Sequence, residues 1–324
     1  MEKSKNLYSI FFILTIIMFM ISSSILIADA QGMEDEIIEI ENAILENRIR
    51  EVVNKPEGAV YLDDIKEIKE LHFDPYLPEH RLNSFTGIEY LLNLEELSFA
   101  GCGIEDLSPL IELTNLKSLE FGAWEPTRID DLTPLGKISS LERLAIGANI
   151  TSDISPIGNL GNLIELRLWR SIPEGDISFL AELGNLTKLN IADNGIEDLS
   201  VLSGLKNLRE LNLGFNRIND ISALENLINL ETLILGGSHE GVISTGNKIE
   251  DISPIRSLTN LGHLTLDDNR ISDISPLVEN TGFGEGDKID LRHNYLDLTP
   301  GSEDMNNINA LIDRGVEVIY EPQK

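Results

Sequence analysis

Cysteine, histidine and positive charge are all scarce in this sequence, and each scarcity excludes something. Cysteine occurs once, at Cys102, so no disulfide can form within the chain. The five histidines, His72, His80, His239, His263 and His293, include no two at the spacing by which a helix or hairpin presents paired metal ligands. Lys and Arg number 25 against 55 Asp and Glu, giving a formal net charge of -30 and a pI near 4.4. A surface of that sign repels phosphate backbones, which excludes nucleic acid as a partner, and it favours solubility. Catalytic patterns are missing too. No Gly-x-Ser-x-Gly elbow occurs, Gly282 to Gly286 follows no strand of a βαβ unit, and the stretch from Gly241 to Lys248 has Asn247 where a phosphate loop needs Lys. The chain is therefore expected to be no enzyme and to carry no cofactor and no metal.

What the sequence does contain is a period. In residues 208–227, Leu208, Leu211 and Leu213 are followed by Asn216, Ile218, Ile221, Leu224 and Leu227, and the pattern restarts at Leu230. The same start recurs at Leu94, Leu116, Leu141, Leu163, Leu186, Leu208, Leu230 and Leu261, with spacings of 22, 25, 22, 23, 22, 22 and 31. An irregular first copy opens at Ile68 and a partial last one contains Ile289, Leu291 and Asn294. A fixed period of this size with apolar residues in fixed phase is the mark of a leucine-rich repeat. A single unit cannot bury its own apolar edge, so copies must stack into one solenoid rather than divide into separate cores.

Each recurrent position has a physical reading. The x-Leu-x-Leu-x segment is a short strand with its leucines inward and its x residues on the opposite face. Asn149, Asn194, Asn216, Asn247 and Asn269 stand where the chain turns inward, and an amide there can satisfy buried backbone groups. Cys102 holds the same position in its unit and reads as a small buried substitute. Asp recurs at 106, 131, 153, 176, 198, 220, 251 and 273, with Ser or Thr two residues on and often Pro after that. The hydroxyl and Pro read as an N-cap and first-turn pair, which starts a brief outer helical turn. The aligned Asp residues read as turn formers rather than as a cation ladder.

The ends differ from the middle. Lys3 and Lys5 precede an apolar run from Ile10 to Ile21, and Ala28-Asp29-Ala30 offers a cleavage site, so residues 1–30 read as a secretory signal. The alternative is an uncleaved anchor, since Ile10 to Ala28 is just long enough to span a bilayer. Residues 31–67 read as a helical N-terminal cap, with a helix over 35–54 that puts Ile38, Leu45, Ile49 and Val52 on one face. Repeats are expected over 68–285 and a C-terminal cap over 286–324. In that cap Ser302 opens a helix with Met305, Ile308, Leu311 and Ile312 inward, and Val316 to Tyr320 forms a last strand.

The repeated LxxLxLxxNxIxDISPL resembles the internalin-type leucine-rich repeats of secreted bacterial and archaeal proteins. Residues 45–71 are similar to the cap that precedes such repeats, and residues 284–320 resemble a C-terminal cap of prokaryotic members. The resemblance implies a curved α/β solenoid with helical caps, secreted or on the cell surface, that binds proteins without catalysis. No Ig-like segment and no wall-sorting signal follow the repeats within the 324 residues. The reading that follows is an extracellular, monomeric binding protein that engages a protein partner through its concave face and one loop edge. A structural component of the cell envelope without a specific ligand is the alternative.

The candidate binding patch comes from one column of the repeat. Just past the second strand leucine stand Ala100, Gly122, Gly147, Trp169, Ala192, Gly214 and Gly236, and Trp169 is the one bulky member. Arg143, Arg167, Arg170 and Lys188 form a local basic cluster around it on an acidic chain, and repeat insertions bring Tyr76, Trp124 and His239 to the same edge. Aromatic and Arg residues are the types most enriched in interface hot spots. Trp169, Arg167 and Arg143 are the expected centre, with Trp124, Arg170, Lys188 and Phe215 around it.

Overall fold

The structure is a computed structural model and describes residues 36–74, 77, 80–99, 103–122, 129–148, 153–237 and 246–324. The expected signal segment lies outside those residues, as do Asn149 and Cys102. Eleven strands form one sheet in strict chain order, and every neighbouring pair is parallel. They are β1 (Glu70–His72), β2 (Glu96–Phe99), β3 (Ser118–Phe121), β4 (Arg143–Gly147), β5 (Glu165–Trp169) and β6 (Lys188–Asn190). After them come β7 (Glu210–Asn212), β8 (Thr232–Ile234), β9 (His263–Thr265), β10 (Lys288–Asp290) and β11 (Glu317–Ile319). Leucine pairs with leucine in register along the array, as in Leu166 with Leu189 and Leu189 with Leu211. The inward leucines and the apolar residues of the outer turns form one continuous buried core, in which Leu208 and Leu211 are both buried.

The inward asparagines run through this core as expected. Asn216 accepts the N–H of Asn194 and of Ile196, each at 3.1 Å. Its amide donates back to the carbonyls of Ile191 (3.0 Å) and Leu213 (2.9 Å). Asn194, Asn247, Asn269 and Asn294 make the same kind of bridge between neighbouring units. At the last unit Gln323 takes over, accepting the N–H of Asn294 (3.1 Å) and of Leu296 (3.4 Å).

Asn194, Asn216, Asn269 and Asn294 each follow a left-handed residue, and Arg170 stands in the same place before Ser171. Ala148, Arg170, Asp193, Phe215, Asp268 and His293 have φ between 46 and 59°. Non-glycine residues adopt this region infrequently. Here the reversal ends the strand and aims the next side chain inward, while the left-handed residue keeps its own N–H in the ladder. Asp193, for example, donates to Gly214 at 3.0 Å.

The outer turns are 3-10 helices, except for the α-helical turn at Ser275, and their capping differs from the sequence reading. Each begins at the Ser itself or just beyond the Thr, and no hydroxyl caps it. Instead the Asp two residues earlier accepts the Ser or Thr backbone N–H at 2.8 or 2.9 Å in all eight expected places. A carboxylate reaches the N–H two residues on without itself entering the helix, the geometry of an Asx turn. Asp297 makes a ninth such turn with Thr299.

A second asparagine row was not foreseen. Asn93, Asn115, Asn162, Asn185, Asn207, Asn229 and Asn260, each just before a strand unit, donate their amides to a carbonyl of the preceding unit at 2.8 or 2.9 Å. Ser140 fills the same place with its hydroxyl.

Both ends of the stack are covered. Helix α1 (Ala43–Val52) starts later than the sequence reading placed it, because Asn42 caps it, accepting the N–H of Ile44 and Leu45. Ile38 is buried but lies in an extended segment whose neighbour Ile37 bridges to Tyr61, and Val52 faces solvent. A single turn, α2 (Leu62–Ile65), leads to β1. At the far end α3 (Ser275–Glu279) precedes α4 (Glu303–Asp313), which Ser302 caps. Ile308 and Leu311 of α4 are buried as expected, whereas Ile312 is exposed.

Candidate functional site

The expected patch sits where the sheet is most extended. Strands β4 and β5 each have five residues, whereas β6 to β11 have three each, and their pairing runs on to Gly147 opposite Trp169. Elsewhere this column is crowded by neighbouring backbone. A Cβ on Gly122 would lie 1.9 Å from the Gly147 carbonyl oxygen, and one on Gly214 would lie 2.5 Å from that of Gly236. Because β5 stays extended through residue 169, Trp169 continues the outward phase of Glu165 and Arg167 on the concave face. Its side chain is half-buried between small neighbours, and the Arg170 guanidinium lies 4.8 Å from its ring centroid. That is cation–π range.

The basic cluster exists in sequence but is paired in space. Arg143 reaches from β4 across the small Ser118 of β3 to Glu96 on β2, at 2.7 Å. Arg167 pairs with Glu165 on its own strand at 2.5 Å, Arg170 with Asp193 at 2.5 Å and Lys188 with Glu210 at 2.7 Å. The region is therefore a mosaic of opposite charges rather than a positive patch. Ser118 and Ala145 are small, and between them a depression opens on the concave face, walled by Glu120, Arg143, Glu165 and Arg167. Phe215 lies on the rim, half-buried, at one of the left-handed positions. Trp124, Tyr76 and His239 lie outside the described residues.

The Asp row has different chemistry. Asp106, Asp176 and Asp220 are held below the usual carboxylate range, first by the backbone N–H and then by the hydroxyl of the Ser two residues on. For Asp131, Asp153 and Asp297 the hydroxyl leads and the backbone N–H follows. Their oxygens serve the turns.

One grouping escaped the histidine spacing. The parallel pairing of β1 and β2 places Glu70 directly opposite Glu96, with His72 two residues along. One ligand atom from each of the three falls within 4.8 Å of the others. The search for paired histidines could not find it, because its third member comes from the next repeat.

Residues 184–226 match the family described as leucine-rich repeats in two copies. An internalin (inlF) from Listeria monocytogenes is 26% identical over 87% of this chain and 90% of its own, with a TM-score of 0.59. The chain is an internalin-like leucine-rich repeat solenoid. Internalin C2 from the same organism is 29% identical over 75% of this chain and 91% of its own, with a TM-score of 0.50. A leucine-rich repeat protein of Leptospira interrogans is 19% identical over 81% of this chain and 69% of its own, and its TM-score of 0.62 speaks for the fold alone. No curated protein matches the chain. The internalin-like fold is compatible with protein–protein interaction. Among the described residues no helix is long and apolar enough to cross a membrane.

Proposed function

We propose that this internalin-like chain is a non-catalytic binding module, secreted or held at the cell surface, that engages a protein partner through its concave face. The signal-like residues 1–30 and the internalin neighbours support the location. The observation that carries the binding reading is Trp169, a large half-exposed aromatic in a column otherwise held to Gly and Ala, at the place where the sheet extends to make room for it. Trp169, Arg167 and Arg143 form the centre, with Arg170, Lys188 and Phe215 at its edge; Trp124, which the sequence also assigns to this patch, lies outside the described residues. The paired charges contribute register and selectivity more than affinity, because each cation already has a carboxylate that a partner must match. The apolar ring and the stacked guanidinium supply the hot spot.

The test compares the wild-type protein with Trp169→Ala in binding to partners captured from extracellular or envelope fractions. The variant is expected to bind at least ~2 kcal/mol more weakly while unfolding at an unchanged temperature. Equal affinity in a folded variant removes this patch. N-terminal sequencing of secreted material tests the location, with a start near Gln31 expected.

A further inference from the structure

We propose that Glu70, His72 and Glu96, at the first two strands of the concave face, form a binding site for a zinc-class divalent cation. The backbone sets the grouping. Parallel register puts Glu70 and Glu96 side by side on neighbouring strands, which lie ~4.8 Å apart. Like charges directly opposed across a sheet destabilise it. Arg143 offsets part of that cost through its bond to Glu96 Oε1 at 2.7 Å, and a carboxylate has a second oxygen with which to meet a cation. Among the described residues Glu70 forms no comparable bond to an arginine or lysine; its near neighbour is His72, whose Nε2 lies 3.7 Å from Glu70 Oε2.

The imidazole is oriented for the role. His72 Nδ1 lies 2.8 Å from Ser98 Oγ, its register partner on β2. With the Nδ1 proton donated to that hydroxyl, Nε2 is left as the free acceptor, 3.7 Å from Glu70 Oε2, in a grouping whose ligand atoms lie within 4.8 Å of one another. Ligating histidines are commonly held in this way by a partner on the other ring nitrogen, which fixes tautomer and ring angle. Ligand type then selects the metal. One imidazole with two carboxylates suits zinc and similar transition ions, whereas calcium and magnesium prefer all-oxygen sets. The Asp row, whose oxygens accept from the turns, offers no nitrogen. Three protein ligands leave a tetrahedral ion one open position, which here faces the concavity.

Zinc competition against a fluorescent chelator tests the site in the purified full-length protein. The wild type should take up one tightly held equivalent. His72→Gln and Glu70→Gln should each weaken it at least ~10-fold, and Ser98→Ala, which removes only the orienting hydroxyl, about 10-fold. Glu250→Gln, an exposed carboxylate on an outer turn, should change nothing. Cobalt(II) in place of zinc should give a visible absorption band that His72→Gln abolishes. Equal zinc affinity in wild type and His72→Gln, or displacement of the zinc by calcium at equal concentration, would show that the acidic surface holds cations without this site. His72 and Glu70 are exposed, so circular dichroism of the variants should match the wild type.

Discussion

Two rows of asparagine run through the described residues, an inner one from Asn194 to Asn294 and an outer one from Asn93 to Asn260, and the same side chain does different work in each. In the inner row the amide both donates and accepts. Asn216 serves two N–H groups of the preceding unit and shares its own protons among carbonyls of two units, wholly out of contact with water. In the outer row the amide only donates, to one carbonyl, and the side chain is exposed, as with Asn207 to Gly184. Serine replaces asparagine in the outer row at Ser140. Burial, not residue type, decides what each row is worth.

Two substitutions sharpen that contrast, the larger expected effect first, and a variant of the Asp row follows with the smallest. Asn216→Leu fills the space but strips the amide from the N–H groups of Asn194 and Ile196 and from the Ile191 carbonyl, each worth about 1–3 kcal/mol, while Asn247 still reaches the Leu213 carbonyl. Denaturant unfolding should show a loss of roughly 4 kcal/mol or more; a loss below ~1 kcal/mol would mean that the inner row is not the buried satisfier described here. Asn207→Ala removes one exposed bond and should cost about 0.5–1.5 kcal/mol by the same measurement. If the two variants were equally destabilised, the comparison between the rows would collapse.

The smallest effect at neutral pH belongs to the Asp row, where Asn can make the same turn. Asp106→Asn, Asp131→Asn and Asp153→Asn together should leave the melting temperature near pH 7 almost unchanged. Acid separates them from the wild type. The turn N–H groups and hydroxyls hold these carboxylates below their ordinary range in the folded state, so their contribution is fully present above the unfolded value and is lost as pH falls through the folded one. The wild type should lose melting temperature as pH falls below about 4, and the triple variant should lose less. Identical acid curves would show that the turns do not hold the carboxylates ionised.

How much of this was legible in the sequence follows from which bonds repeat. The strands, the inner asparagines and the Asp row were readable because they recur in phase, and phase is all that a single sequence displays. The outer asparagines recur too, but they stand at the seam between units, in the polar stretch where solvated loop residues are also expected. The start of α1 was misplaced because Ile38 fits a helical face by spacing alone, while Asn42 caps the helix four residues later. At the candidate patch the residues were legible and the charges were not. Arg143 finds Glu96 two strands away because Ser118 is short, and no spacing rule encodes such a reach. The Glu70, His72 and Glu96 grouping was invisible for the same reason.

The inner row has a consequence for how such a chain changes size. Each asparagine addresses the unit before it at a constant offset, and Gln323 finishes the last address from outside the series. From Asn194 to Asn294, each inner asparagine thus makes the same kind of bridge at its junction. Residues 186–207 form one 22-residue unit, and their removal would bring Asn216 to the place that Asn194 holds behind Ser171 and Ile172. Lengthening or shortening therefore proceeds in whole steps, each moving the two ends of the arc by one strand spacing of ~4.8 Å. The span of the arc is thus a quantity that gain or loss of whole units can set.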